Sequence, residues 1–457
     1  MAIDKQVNMM PRGCRLVDFP QMTDERGCLS FAEGLRQIPF RIERVFWIYD
    51  IPEGQSRGSH SHNESAEVLV PMAGEFDIML SDGKRETVLH LDSPHRGILI
   101  PPGVWCEMHN IAAGSVCMVM ASHAYDASGY TDSYEQYRNE QVVAVRYDNS
   151  RKEEWNSFVA TSKNGTFLFD RNYMDYHSDR FEDCSLMFYR EGRLIALLPA
   201  NFRRGERCVA SHSGLTYGGL VMSAEMTAVR ALEVFNCATD WMRTELAAVK
   251  LIYKPIPYIY CSAPSEEDRY ALFRLGARKV SCSVASAVDN SNRLPMRKLR
   301  KRGIDKACKA GVVIERATAD DEWKTFWTIL DEVLAEKHQS RPVHEIDEML
   351  MLGNRFPDNI QLYVARLDGR IVAGTVIYDS GIVAHVQYIA ASDMGRRCGA
   401  LDLLFDVLLG QNFAGRQFFD FGTSMEQNGP DLNEGLVFQK EGFGARSVVY
   451  ESYEIDL

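Results

Sequence analysis

Residues 54–74 read GQSRGSHSHNESAEVLVPMAG, and the two histidines of this stretch, His60 and His62, are separated by a single serine. Residues two apart on a β-strand project from the same face of a sheet. The run EVLVPMAG that follows is itself strand-like. The stretch therefore predicts a strand that carries two imidazoles into one enclosed space.

Similar short strand-like runs extend from Cys14 to about Tyr137, among them RVFWIYD, FDIMLSDG, RGILIPPG and SVCMVMASH. Their regular spacing between turn residues is typical of an all-β sandwich or barrel. The pattern Gly, five residues, His-x-His, four residues, Glu, six residues, Gly in 54–74 resembles the first cupin motif. The second motif is partly met by Gly97, Pro101, Gly103 and Asn110, with Cys106 where metal-binding cupins usually have histidine. We therefore predict an all-β cupin, which is a jelly-roll barrel.

Within the cupins, DERG (24–27), RGSHSH (57–62), GVWCEMH (103–109) and SHAYD (122–126) resemble the nucleotide-sugar 3,4-ketoisomerases. This resemblance implies conversion of a dTDP-4-keto-6-deoxyhexose to its 3-keto isomer, with no metal expected. It implies that His60 and His62 are the catalytic pair, since neutral histidine is suited to moving protons near pH 7. It also implies substrate contacts for Arg26, Arg57 and Trp105.

Three positions depart from the family pattern: Asn63, Glu67 and Cys106 stand where lysine, glutamine and histidine are common. Two histidines and a carboxylate, with a thiolate as a fourth ligand, are also the donor set of a metal cupin. A third alternative is a cupin that serves only binding or dimerisation. All three alternatives stay open at the level of sequence.

The 457 residues of the chain correspond to about three domains at roughly 150 residues each. Its formal net charge of −12 argues against a nucleic-acid or membrane partner. The 11 cysteines are spread singly, without a CxxC pair, and no apolar leader or membrane span is evident. We therefore expect a cytoplasmic protein with reduced thiols.

Two similar passages, LMFYREGRLIALLPANF and LYVARLDGRIVAGTVIY, each predict a strand, a tight turn at Gly192 or Gly369, and a second strand. The passages lie too far apart for a solenoid repeat, so they favour a tandem pair of α/β domains. We predict a cupin domain at 1–145, a first, degenerate GNAT-like domain at 146–290 and a second GNAT-like domain at 291–457.

A predicted strand at 385–390 is followed by ASDMGRRCGA (391–400) and by an amphipathic helix at 401–409. A turn at this place leaves backbone N–H groups at the helix N-terminus free to hold an anion. The stretch resembles the pyrophosphate loop of GNAT acyltransferases. The resemblance implies that coenzyme A is bound by Arg396, Arg397, Cys398, Gly399 and Ala400.

Further passages, among them HSGLTYGG (212–219), PVHEIDEML (342–350) and the segment 420–445, resemble tandem-GNAT proteins related to Fem-type aminoacyltransferases. These proteins N-acylate amino sugars, with the acceptor between a degenerate and a competent unit. The resemblance implies acyl-CoA, such as acetyl-CoA or 3-hydroxybutyryl-CoA, as co-substrate. Candidates for the base or proton relay are His385, Glu426, Tyr388 and His344, of which His344 could also contact substrate; their order stays open.

Eight cations lie between Arg293 and Lys309 in this acidic chain. The run is either a solvated helix face or a contact for the phosphates of coenzyme A or of a nucleotide-sugar. Nucleic acid is less favoured, because aromatic residues are not interleaved with the cations.

The two resemblances meet in one reaction sequence, in which a sugar is isomerised, aminated at C3 and then N-acylated for surface polysaccharide such as lipopolysaccharide O-antigen. We predict a bifunctional isomerase and acyltransferase, a homodimer, whose dTDP-linked deoxysugar and amino-sugar substrates are connected by a separate PLP-dependent aminotransferase. The alternatives are an acyltransferase with a non-catalytic or metal-binding cupin, and a Fem-type transferase that uses aminoacyl-tRNA.

Overall fold

The computed structural model describes residues 10–83, 85–338, 340–426 and 430–457. The chain forms two compact units. The first ends at Gln141 and includes the turn Arg190–Gly192, and the second comprises Val142–Tyr189 and Arg193–Leu457. No helix in these ranges combines the length and the apolar character that a membrane crossing requires.

The first unit is built almost entirely of strands. They are β1 (Arg15–Asp18), β2 (Gln21–Asp24), β3 (Gly27–Ser30), β4 (Arg44–Ile48), β5 (Arg57–His62), β6 (Glu67–Ala73), β7 (Phe76–Ser81), β8 (Glu86–Leu91), β9 (Arg96–Ile100), β10 (Trp105–His109), β11 (Val116–Ala121) and β12 (Tyr130–Thr131), followed by helix α1 (Tyr134–Glu140). Each run predicted as a strand from the sequence is confirmed as one.

These strands form two five-stranded sheets, in the orders β1-β9-β6-β11-β4 and β12-β5-β10-β7-β8, beside the hairpin β2-β3. The registered pairs within both sheets are antiparallel, as a jelly-roll barrel requires. Alternate residues of β7 and β10, such as Ile78, Leu80 and Met108, are buried together in the core between the sheets. The all-β cupin prediction is confirmed.

The second unit mixes strands and helices. Its strands are β13 (Val143–Arg146), β14 (Leu186–Arg190), β15 (Arg193–Leu198), β16 (Asn201–Arg203), β17 (Cys208–Ala210), β18 (Val221–Met222), β19 (Lys250–Tyr253), β20 (Arg278–Asp289), β21 (Val313–Ala317), β22 (Ile360–Leu367), β23 (Arg370–Asp379), β24 (Val383–Ala391), β25 (Phe418–Thr423) and β26 (Arg446–Asp456). Its helices are α2 (Lys152–Thr161), α3 (Arg171–Met174), α4 (Ala228–Leu246), α5 (Glu267–Arg274), α6 (Lys298–Ala310), α7 (Asp320–His338), α8 (Ile346–Arg355), α9 (Asp393–Cys398), α10 (Ala400–Val407) and α11 (Glu434–Glu441).

Both predicted hairpins are present, as β14-β15 and β22-β23. Their turns place two successive residues at positive φ, Glu191 and Gly192 in one and Asp368 and Gly369 in the other. Two positive φ angles define the type I′ turn, whose twist matches that of paired strands. Glycine at the second position of each turn therefore explains why the two passages look alike in sequence.

Ten strands form one sheet in the order β16-β17-β19-β26-β20-β25-β24-β23-β22-β21. The boundary expected near residue 290 falls at the end of β20, which pairs with β26 on one side and with β25 on the other. One sheet therefore continues across the expected boundary. The division of this region into a degenerate and a competent GNAT-like domain stays a prediction.

Candidate functional site

A β-bulge places the histidines of β5. On β10, Cys106 lies opposite His60 and Met108 lies opposite Arg57, so Ser59 is an extra residue on β5. Ser59 and Gly58 adopt positive φ angles of 56° and 85°, and a Cβ on Gly58 would lie 2.9 Å from the Cys106 carbonyl oxygen. The extra residue reverses the alternation of the strand, so Arg57 and His60, although three apart, lie on one face.

The imidazoles of His60 and His62 meet on that face. Their Nε2 atoms are 3.2 Å apart, and Nε2 of His62 lies 3.0 Å from Oε1 of Glu67 on β6. Tyr130 packs against both rings, with centroid distances of 5.1 and 4.4 Å. Burial lowers the pKa of His60 below 6.5, so this imidazole is neutral and able to accept a proton at pH 7. The predicted pair is therefore brought together with a carboxylate and a phenol.

The structure corrects two expectations for β10. Trp105 lies opposite Ser61, on the other face from the histidines, and packs against Tyr134 and Tyr137 with centroid distances of 5.1 and 5.6 Å. It therefore does not line the histidine cavity. Cys106 shares the face of His60, but its sulfur lies outside the group of close ligand atoms formed by His60, His62 and Glu67, and burial raises the pKa of its thiol well above the usual range.

The two predicted arginines are exposed. Arg57 begins β5 on the histidine face. Arg26 lies in the β2-β3 turn, where its guanidinium is 2.5 Å from the carboxylate of Asp24. Among the described residues, His60, His62 and Glu67 form the one group whose ligand atoms lie close enough for a metal ion, within 4.8 Å of one another. The guanidinium of Arg44, 3.3 Å from Oε1 of Glu67, already supplies a positive charge to that carboxylate.

A second bulge shapes β24. Val376 on β23 lies opposite Tyr388, and the next residue, Ile377, lies opposite Val386, so Gln387 is the extra residue. His385 and Tyr388 therefore lie on one face although they are three apart. Their location confirms a strand at 385–390 and places two of the four candidate bases on one face of it.

His385 is held by a buried carboxylate. Its Nδ1 lies 2.8 Å from Oδ2 of Asp420, which also accepts a 2.7 Å hydrogen bond from the Tyr450 hydroxyl. Burial alone would raise the pKa of Asp420, but the charge of His385 and hydrogen bonds from His385, Tyr450 and the Gly422 N–H hold it below its usual range. An ionised Asp420 accepts the Nδ1 proton and leaves Nε2 of His385 as a proton acceptor.

His385 and Asp420 also mark the point where two strands part. The parallel pairing of β24 with β25 is recorded from Val383 to His385, which lies opposite Asp420. β24 continues to Ala391, and helix α9 begins two residues later. The predicted coenzyme A loop therefore follows the part of β24 that continues beyond its pairing with β25.

Two cavities adjoin this pair. A small aromatic pocket is lined by Phe167, Leu168, Thr216, Tyr217, Tyr260, Tyr378, Ser380 and His385. A polar cleft is lined by Thr216, Tyr217, Lys254, Pro255, Ser281, Ser283, Thr423, Tyr450, Glu451 and Ser452. Thr216 and Tyr217 line both, which gives the motif HSGLTYGG a place beside His385. The sequence does not predict three residues of this site: Asp420, Tyr450 and Lys254. Pairing between strands that are distant in the sequence places them beside His385 or the cleft.

The other candidate bases occupy different surroundings. His344 is buried just before α8, and its Nδ1 shares a 2.6 Å hydrogen bond with the Tyr388 hydroxyl. Burial lowers the pKa of His344 to about 4 and raises that of Tyr388 to about 12. Both groups are therefore neutral near pH 7. Glu426 is exposed, and its backbone N–H donates a hydrogen bond to the carbonyl oxygen of Asp431.

The predicted coenzyme A loop is more helical than expected. Residues 393–398 form α9, which Ser392 caps by accepting a hydrogen bond from the Gly395 N–H, and Gly399 ends it at φ +79°. Cys398 and Ala400 are buried and Arg397 is exposed. The turn expected at Arg396–Ala400 is therefore a single glycine between two helices, which corrects the predicted strand, turn and helix.

A groove nevertheless forms at this place, which we call the donor groove. It is lined by Arg300, Gly395, Arg396, Gly399, Leu401, Asp402, Gly435, Phe438 and Gln439. Arg300 comes from α6, the helix that carries most of the basic run, and it is paired with Asp402. Arg297 lies over the half-exposed ring of Phe438 at 4.5 Å. Both lining arginines are paired, Arg300 with Asp402 and Arg396 with Asp393, and Phe438 adds an aromatic face to the groove.

Comparisons with known proteins agree with this geometry. Residues 12–142 match the family model described as FdtA, WxcM-like, C-terminal, and residues 295–428 match an acetyltransferase (GNAT) domain. The TDP-4-oxo-6-deoxy-alpha-D-glucose-3,4-oxoisomerase of Aneurinibacillus thermoaerophilus is 36% identical over 124 residues, which are 27% of this chain and 89% of that protein.

Two solved structures extend the comparison. QdtA, a sugar 3,4-ketoisomerase from Thermoanaerobacterium thermosaccharolyticum crystallised with TDP, is 35% identical over 29% of this chain and 96% of its own, with a TM-score of 0.28. FemX is 11% identical, with a TM-score of 0.51 over 69% of this chain and 97% of its own. The likeness to FemX is one of fold alone.

We predict that acid destabilises the second unit through its buried neutral histidines. Burial lowers the pKa of His212 to about 3 and that of His344 to about 4, so both bind a proton in the unfolded chain before they do in the folded one. The free energy of unfolding should fall by about 1.4 kcal/mol per pH unit for each histidine, from about pH 6.5 down to the lowered pKa.

Urea unfolding at pH 7, 6 and 5, followed by circular dichroism, measures this dependence. His344→Gln should reduce the slope of the free energy of unfolding against pH, because one proton fewer is taken up on unfolding. His123→Gln, at an exposed histidine, should leave this slope unchanged. An unaltered slope in His344→Gln would contradict the assignment.

Proposed function

This chain belongs, through residues 12–142, to the FdtA family, and we propose that it is a bifunctional enzyme acting on dTDP-linked deoxysugars. The first activity is 3,4-ketoisomerisation of a dTDP-4-keto-6-deoxyhexose. The second is acyl-CoA-dependent N-acylation of a dTDP-3-amino-3,6-dideoxyhexose. The observation that supports the first most directly is the contact between His60 and His62 in a domain 36% identical to an oxoisomerase.

The isomerisation needs groups that move protons between two carbons. The C3–H bond breaks and a C4–H bond forms, while the C3 hydroxyl loses a proton and the C4 oxygen gains one. His60, kept neutral by burial, is suited to remove the C3 proton, and His62 is within hydrogen-bonding distance of it to return one. Arg57, on the same face, is placed to contact the negatively charged end of the substrate.

The acyl transfer needs a neutral amine, a base for its proton and a thioester held beside it. In our proposal, Nε2 of His385 takes the amine proton as nitrogen bonds to the acyl carbon, and the C–S bond then breaks to release the thiol. Asp420 stabilises the imidazolium that forms. The donor groove holds the phosphates of acyl-CoA, with its thioester placed beside His385.

In the proposed reaction sequence, the isomerisation comes before an amination at C3 and the acyl transfer comes after it. We propose that a separate PLP-dependent aminotransferase carries out that step, in the cytoplasm, for surface polysaccharide. A homodimer is supported by β4, an edge strand whose side chains Val45 and Trp47 are 48% and 62% exposed. The acyl group transferred is either acetyl or 3-hydroxybutyryl.

We predict that the protein converts TDP-4-keto-6-deoxyglucose to its 3-keto isomer in deuterated water, with deuterium incorporated at C4. His60→Asn and His62→Asn should each lower kcat by about 100-fold or more, because each removes a proton-transfer group. Proton NMR of the reaction measures both the product and the label.

The matched control is His90→Asn, at an exposed histidine of the same unit, which should retain full turnover. A wild-type protein without turnover, but with acyl transfer intact, would favour the alternative in which the cupin is non-catalytic.

We predict that two substitutions in the acyltransferase change different kinetic constants. Arg396→Ala should raise the KM for acetyl-CoA about tenfold, because it removes a charged partner of the phosphates, with kcat nearly unchanged. His385→Gln should lower kcat about 100-fold with little change in KM, because it removes the base. Thiol release with a TDP-3-amino-3,6-dideoxyhexose as acceptor measures both constants.

Arg370→Ala, at an exposed arginine that begins β23, is the control and should match the wild type. Transfer that proceeds with aminoacyl-tRNA and not with acyl-CoA would instead support the Fem-type alternative.

A further inference from the structure

A carboxylate and a guanidinium from the opposite sheet hold the histidine pair of the first unit. We propose that Glu67 and Arg44 are positioning residues that give the two histidines different roles: His60 removes the substrate proton and His62 donates one. This inference rests on the proposed isomerase activity and assigns the parts of its proton transfer.

The hydrogen-bond geometry decides which ring nitrogen carries a proton. Nε2 of His62 lies 3.2 Å from Nε2 of His60 and 3.0 Å from Oε1 of Glu67. An ionised carboxylate can only accept hydrogen bonds, so Nε2 of His62 carries a proton and donates it in a hydrogen bond to Glu67. His60 has a second partner, because its ring forms a hydrogen bond with the backbone of Gly58. With Nδ1 donating to that carbonyl, Nε2 of His60 keeps a lone pair and can accept a proton.

Register explains why Arg44 reaches Glu67. Ala121 on β11 lies opposite Arg44 on one side and opposite Glu67 on the other, so the three residues form one row across the sheet. The methyl group of Ala121 is small enough for the arginine side chain to cross it. The guanidinium then lies 3.3 Å from Oε1 of Glu67.

Arg44 is itself fixed by its surroundings. Its guanidinium lies 4.8 Å from the centre of the Phe46 ring and 5.6 Å from that of Tyr125, and it donates a 3.5 Å hydrogen bond to the Tyr130 hydroxyl. Glu67 is only 4% exposed, and a carboxylate so deeply buried needs a cation to stay ionised. Arg44 therefore holds Glu67 in place, and Glu67 orients His62.

The proton path follows from this chain of contacts. The C3 proton moves to Nε2 of His60, and the enediolate that forms passes the proton of its C3 oxygen to its C4 oxygen. His62, acting as an imidazolium paired with Glu67, then gives its Nε2 proton to C4 and is left as a neutral imidazole. The 3.2 Å separation of the two nitrogens allows the proton to pass from His60 back to His62 after product release. No redox change or further reactant is required.

The test compares Glu67→Gln and Arg44→Met with the wild type in the NMR isomerase assay. Each variant should lower kcat by about 10-fold to 100-fold, with KM for the nucleotide-sugar nearly unchanged, since neither residue is proposed to bind substrate. Ala121→Val should act like Arg44→Met, because its larger side chain blocks the path of the arginine. Glu75→Gln, at an exposed carboxylate of the same unit, is the matched control.

The pH dependence of kcat distinguishes a role of Glu67 in orienting the histidines from a role in packing alone. The groups around His60 are His62, Glu67, Arg44, Tyr130 and Cys106. Burial lowers the pKa of His60 and the negative charge of Glu67 partly opposes this, so Glu67→Gln should lower that pKa further. The acidic limb of the profile should therefore move to lower pH. A role for Glu67 in packing alone would leave the limb in place.

Two results would overturn the inference while leaving the isomerase activity established. One is an active wild type whose kcat and profile are unchanged in Glu67→Gln. The other is one equivalent of metal ion per chain in purified wild type, lost together with activity in Glu67→Gln, which would make Glu67 a ligand. An inactive wild type would instead contradict the proposed function itself.

Discussion

One extra residue in a β-strand determines what each site of this protein can do. Side chains of a regular strand alternate between faces, so residues three apart point in opposite directions. Ser59 and Gln387 each interrupt that alternation and bring Arg57 to the face of His60, and Tyr388 to the face of His385. Without these bulges, Arg57 and Tyr388 would lie on the opposite faces of their sheets from His60 and His385.

In each unit, a glycine next to the imidazole has a positive φ angle. Gly58 is required where the bulge of β5 meets the carbonyl of Cys106, because any side chain there would approach it within 2.9 Å. In the second unit, Gly422 takes a φ of +72° within β25, two residues after Asp420, which contacts His385. Glycine therefore shapes the backbone beside the imidazoles of His60 and His385.

A carboxylate orients an imidazole in each unit, through Glu67 and His62 in one and Asp420 and His385 in the other. Both carboxylates are buried, and each has additional partners that keep its charge favourable, a guanidinium for Glu67 and the hydroxyl of Tyr450 for Asp420. Proton transfer by a neutral histidine near pH 7 requires a defined tautomer. The same physical device thus appears on two unrelated folds within one chain.

Local sequence determined much of this protein. Alternating apolar runs and turn residues define the barrel, Asp-Gly and Glu-Gly define two hairpins, and the spacing of His60 and His62 places both rings on one face, because strand and turn geometry act over a few residues. Tertiary structure alone decided the rest. The face that Trp105 occupies, the contact of Arg44 with Glu67 and the partner of His385 depend on pairings between strands distant in the sequence. Such pairings depend on register across a whole sheet, which no local pattern specifies.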